Sequence, residues 1–160
     1  MSEGTTFKDR HREMQEIARE LALLRSGNLR HREGDSQERL LLISEAALTC
    51  LALERFVRIV LGSDAAPSDT LYNLLQKAVS SRRRLLRLPW DDQEDGIRRV
   101  VNVRNTLLHG NYETAAQAEG CATVAEYFKT KFASETERMF EILDHLMKQI
   151  DPHSGLPLAP

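Results

Sequence analysis

The segment from Leu40 to Leu61 limits what this chain can fold into more than any other. It is apolar on most of its faces and long enough to cross a bilayer, yet it carries Glu45, Glu54, Arg55 and Arg58. Each charge near a bilayer centre costs about 2.5–3.5 kcal/mol even on insertion-based scales. The segment therefore reads as the buried central helix of a soluble bundle. Asp35 and Glu38 give it a capping box, and Gly62 stops it.

Helical spacing extends through most of the remaining sequence, and no alternating strand stands out. A first helix is expected over Phe7–Arg25, with Phe7, Met14, Ile17, Leu21 and Leu24 on one stripe. A third is expected over Ser68–Leu88, ended by Pro89, with Leu71, Leu75, Ala78, Val79, Leu85 and Leu86 inward. A fourth starts at the acidic run around Asp91 and Asp92 and closes at His109, with Gly110 as its C′ residue. The stretch after Gly110 reads as a loop. A fifth helix opens on a capping box of Thr123 and Glu126 and carries Val124, Phe128, Phe132, Met139, Ile142, Leu143, Leu146 and Ile150 inward. The expected fold class is all-α: an up-and-down bundle of about five helices. Residues 1–150 form one domain and residues 151–160 a disordered tail.

Composition narrows the function classes. The chain has 160 residues, a formal net charge of −2, 41% hydrophobic and 29% charged residues. A nucleic-acid role must then come from a local basic patch or a specific site. Cys50 and Cys121 are too few for a disulfide scaffold or a four-thiolate zinc site. No metal signature, phosphate-binding glycine loop or nucleophilic triad is present, so neither metal nor cofactor is expected. The polar N-terminal residues lack the apolar core of a secretory signal, and a cytoplasmic chain without membrane association is expected.

The chemistry concentrates in Ile97–Gly110. Ile97, Val101 and Leu108 stand at i, i+4 and i+11, and Arg104 occupies the i+7 position of that stripe. A buried guanidinium needs a partner or a cleft. Glu54 and Glu45, acids on covered faces of the central helix, are the candidate partners. Either an internal ion pair fixes helix register, or Arg104 lines a seam where a substrate or a second subunit approaches. His109 closes the helix, where a histidine also suits the helix dipole. Asn105 lies four residues before it on the same face.

Arg104-Asn105-Thr106-Leu107-Leu108-His109 resembles the Arg-x4-6-His motif of the HEPN superfamily (higher eukaryotes and prokaryotes nucleotide-binding), including the polar residue directly after the arginine. The motif ends one long helix before a final long helix, and the Ala52–Phe56 stretch looks like an earlier helix of that family. The resemblance implies a homodimer with two motifs in one cleft and a metal-independent endoribonuclease of toxin or antiviral-defence type. His109 would be the general acid and base for attack of the 2′-OH on phosphorus. Arg104 would stabilise the phosphorane, and Asn105 would orient the phosphate or imidazole. A subset of such toxins places a tyrosine two residues after the histidine, where a nucleotidyltransferase antitoxin modifies it. Here the order is His109-Gly110-Asn111-Tyr112, one residue longer. Tyr112 and Asn102 are cleft candidates, although a tyrosine in this position also suits packing over a helix end. Arg82 and Arg83, with Arg84 and Arg87, form a basic run that either contacts RNA phosphates or is a solvated face. The implied partners are RNA and a cognate antitoxin or nucleotidyltransferase. The rivals are a non-catalytic nucleotide-binding, RNA-binding or protein-interaction module, and a purely structural bundle.

Overall fold

The computed structural model describes residues 11–12, 14–15, 17–18, 22, 35–80, 82, 84–108 and 110–158. It is an all-α bundle, with no strand among the described residues. The helices are α1 (Asp35–Leu61), α2 (Leu71–Val79), α3 (Gln93–Leu108), α4 (Tyr112–Ala118), α5 (Val124–Tyr127) and α6 (Ala133–Met147). A 3-10 turn, Gly62–Asp64, follows α1, and a π-helical turn, Phe128–Phe132, joins α5 to α6. The described residues between positions 11 and 22 are helical, and Met14 and Ile17 enter the core. The side chains of Asp35 and Glu38, the expected capping box, lie outside the described residues.

The central position of α1 follows from its composition. It packs against α2, α3 and α6 and buries Leu53, Phe56 and Val57 completely. No helix among the described residues is long and apolar enough to cross a membrane. Burial on α1 is not uniform, however: Leu48 and Leu51 remain 48% and 52% exposed.

The turn after α1 is built by a cation. Arg58 donates to the carbonyls of Ala66 (3.0 Å) and Asp69 (2.9 Å), and the Asp69 carboxylate accepts from the Ala66 amide (2.8 Å) and from Lys77. Those bonds hold the Asp69 carboxyl below the usual carboxylate range, the Lys77 hydrogen bond being the largest cause.

Three expectations are corrected. First, the third helix ends at Val79, not at Leu88. Ser80 and Arg82 offer no apolar anchor, and Arg84 adopts a left-handed φ of +44° that no helix continues. The chain then runs extended, with Leu86 and Leu88 buried and Arg87 exposed between them. Side-chain amides take the place of a neighbouring strand. Gln149 accepts from the Arg87 N–H and donates to its carbonyl, both at 2.7 Å. Gln93 does the same for Leu88, at 2.7 and 3.0 Å. Second, the expected loop after Gly110 contains α4. Asn111 caps it by accepting from the Thr114 amide, and the alanines behind it are strong helix formers.

Third, the tail expected to be disordered is a hook over 151–158, while Ala159 and Pro160 lie outside the described residues. The Asp151 carboxylate accepts from the His153 amide and the Ser154 hydroxyl, and both interactions depress its pKa. Gly155 supplies a left-handed φ of +64°. The Leu158 amide then donates back to Gln149 (2.8 Å). The hook also meets the N-terminal helical residues, where His11 Nδ1 donates to the Pro152 carbonyl at 2.8 Å.

The π-helical turn anchors an aromatic cluster. Phe128 lies with its ring centroid 4.8 Å from both Tyr112 and Phe132, and Tyr127 packs edge-on against both phenylalanines. Tyr127 is fully buried, and its hydroxyl has no hydrogen-bond partner among the described residues. Burial, then the nearby Glu119, raise its pKa. An unsatisfied buried hydroxyl costs about 1–3 kcal/mol. Tyr127→Phe is therefore expected to raise stability by about 1 kcal/mol in urea unfolding; a loss of stability would mean that the hydroxyl is partnered.

Candidate functional site

Helix α3 carries the candidate motif. Its acidic start is set by Asp92, whose carboxylate accepts from the Asp95 amide (3.1 Å). The face it buries is Ile97, Val100, Val103 and Leu107. This differs from the expected stripe of Ile97, Val101 and Leu108: Val101 is only half-buried and Leu108 is 40% exposed. Arg104 accordingly sits on the margin of the helix rather than in the core, half-buried beside α1.

The surroundings of Arg104 are specific. Its Nη1 donates to Asn105 Oδ1 at 3.2 Å. Its charge reaches Cys50 on α1, where it partly offsets the burial that pushes that thiol up to about 12. Glu54, an expected partner, is instead 3.3 Å from Arg58, one turn along α1. That pairing follows from the role of Arg58 in the turn after α1. Glu45, the other candidate, is buried on α1, and no ion pair joins it to Arg104 among the described residues. Arg104 thus has no carboxylate partner among the described residues, and it remains half-exposed.

His109 lies outside the described residues. Gly110, directly after it, has a φ of +75°, the left-handed geometry of a helix-ending residue. Asn105 is half-buried next to Arg104, and Asn102 is exposed one turn earlier. Tyr112 packs over the end of α3 and donates to the Leu107 carbonyl at 3.1 Å. Its hydroxyl is therefore committed to a helix terminus, and burial raises its pKa.

The basic run does not form a helical face. Arg82 is exposed in the turn after α2, and Arg83 lies outside the described residues. Arg98 and Arg99 pair with Glu94 and Asp95 at i, i+4 spacing, as a solvated face does. Trp90 packs against Gly96, where an added Cβ would come within 3.0 Å of its ring. No cluster of three His, Cys, Asp or Glu able to hold a metal occurs among the described residues.

What sequence reasoning missed is the exposure of leucines on these two helices. On α1, Ser44, Leu48 and Leu51 are exposed at i, i+4 and i+7, and on α3 Leu108, one turn past Arg104, is exposed as well. The signal was present in the even distribution of apolar residues around α1, which leaves Leu48 and Leu51 outside the core. No family model matches the chain, and no curated protein or solved structure matches it.

The two cysteines differ in environment. Cys50 is buried with its thiol held neutral, whereas Cys121 is partly exposed. At pH 8 a thiol reagent is expected to label Cys121 in the native chain and both cysteines only after unfolding. Rapid native labelling of Cys50 would mean that the α1–α3 seam opens readily.

Proposed function

We propose that the chain is a HEPN-type, metal-independent endoribonuclease that acts as a cytoplasmic homodimer. The observation that carries the reading is Arg104: half-buried, bonded to Asn105, without a carboxylate partner among the described residues, and one turn before the exposed Leu108. In the two-fold dimer, Leu48, Leu51 and Leu108 pack against their symmetry mates and bring the two motifs to one cleft. His109 takes the proton of the 2′-OH as that oxygen attacks phosphorus. The bond from phosphorus to the 5′-oxygen breaks, and the leaving oxygen receives a proton from the second histidine or the same one. The products are a 2′,3′-cyclic phosphate and a 5′-hydroxyl. Arg104 neutralises the charge gathering on the phosphorane, and Asn105, its carbonyl already engaged, offers its amide N–H to a phosphate oxygen.

RNA is the substrate class, with a cognate antitoxin or nucleotidyltransferase as an expected partner. The engaged hydroxyl of Tyr112 speaks against that residue as a modification target. The leucine surface equally suits a non-catalytic interaction module, which would hold RNA or a protein without cutting it. Expression of the wild type against His109→Ala in a bacterial host, scoring growth and RNA integrity, separates the two. The enzyme degrades RNA and slows growth only with His109 present. Intact RNA in wild-type cells overturns the enzyme and leaves the module.

A further inference from the structure

At the opposite end of α3, a cavity of about 950 Å³ lies between the extended segment after α2, the end of α6 and the hook. Gln93 lines it, roughly 16 Å of helix from Arg104 at a 1.5 Å rise per residue. It is separate from the ribonuclease seam, and the inference does not rest on that reading.

Three observations make it a built site. Its lining is largely aliphatic, with Val79, Leu85, Leu86 and Leu158 contributing, and no Phe, Tyr or Trp among the described residues lines it; His145 is its one aromatic ring among them. That lining suits an aliphatic body. Its lining carries two guanidiniums, Arg84 and Arg87, neither with an ion-pair partner among the described residues, against one carboxylate, Asp91. That balance suits a single negative headgroup. Finally, the backbone that presents the guanidiniums is held at a cost. Arg84 keeps a left-handed φ of +44°, which disfavours any side chain. The main chain of Arg87 is gripped by Gln149 through two hydrogen bonds, with His145 Nε2 a further 3.1 Å from the same carbonyl. The side chain of Arg87 takes no part in that grip and stays free for a ligand.

We propose that this cavity binds an amphipathic anion, an aliphatic body ending in one carboxylate or phosphate, with Arg84 and Arg87 holding the headgroup. A cavity of this size falls in the range of ordinary small-molecule sites. The hook forms one wall, since Pro157 and Leu158 line the cavity and Leu158 is tied to Gln149.

Titration calorimetry of the full chain with decanoate, decyl phosphate, decanol and adenosine monophosphate tests this, with Trp90 fluorescence as a second readout. One of the two aliphatic anions should saturate a single site, and the better one assigns the headgroup. Decanol and the nucleotide should bind at least about tenfold more weakly, the worth of a charge-assisted contact. Arg84→Gly should weaken the anion by a similar factor of about ten while Tm holds or rises, because glycine accepts the left-handed backbone. Arg87→Gln, which spares the main-chain grip, should repeat the loss. Unchanged affinity in both variants, no saturable binding of either anion, or equal binding of decanol or the nucleotide would overturn the proposal.

Discussion

Arg104→Ala is expected to lower RNA cleavage by about 10²–10³-fold, the usual loss when one preorganised charge-stabilising donor is removed. The chain should still fold and associate. Arg104 is half-exposed and bonded only to its neighbour Asn105 among the described residues, so its truncation leaves no buried charge behind. The stability change should stay within about 0.5 kcal/mol, as for other surface positions. His109→Ala should cost a comparable or larger factor, about 10²–10⁴, through loss of proton transfer. Arg104→Lys should recover only part of the activity, since an ammonium lacks the planar fork that engages two phosphate oxygens. Rates from a defined oligoribonucleotide, paired with thermal unfolding, read these outcomes. Cleavage unchanged in Arg104→Ala would remove the proposed mechanism; unfolding of that variant would return Arg104 to a packing role.

Leu51→Glu is expected to convert the proposed dimer to a monomer and to abolish the proposed cleavage with it. In the single chain Leu51 is 52% exposed, so a glutamate there meets water and costs the fold little. Across a two-fold interface the same substitution places two carboxylates face to face in an apolar setting. A penalty of roughly 3 kcal/mol for desolvated, unpaired charge weakens association by about a hundredfold. Sedimentation velocity on the wild type, Leu51→Glu and Leu48→Glu measures this. A dimer that survives both substitutions would place its interface elsewhere. A wild type that is monomeric at all concentrations would sink the dimeric site.

Much of the architecture was legible because long amphipathic segments repeat their apolar residues at helical spacing. The central place of α1 and the inward face of α6 could be read from that repeat, and the ends of α3, to within two residues, from its acidic start and from Gly110. The misses share a physical cause: each turned on one or two residues whose local geometry overrides the repeat. Leu85 and Leu86 continue the apolar pattern of α2, but the left-handed backbone at Arg84 changes the period from helical to extended between them and Ala78. Helix α4 is short, and its cap, Asn111, resembles a turn residue when seen without its partner amide. At the candidate site the types of residue were readable, but the stripe was not. Val100 and Val101 are equivalent in the sequence, and packing against α1 and α6 chose Val100 for the core. That choice moved Arg104 from interior to margin, while Glu54 pairs with Arg58 instead.

The π-helical turn at Phe128–Phe132 has a further consequence for how this chain tolerates change. It holds one residue more than an α-helical turn spans, and the wider turn takes up that surplus locally. Excising a single residue there would let the rod revert to uniform winding with Met139, Leu143 and Leu146 still directed at the core they fill. The same excision early in α6 would swing the residues beyond it by about 100°; length is constrained along α6 and tolerant at this turn.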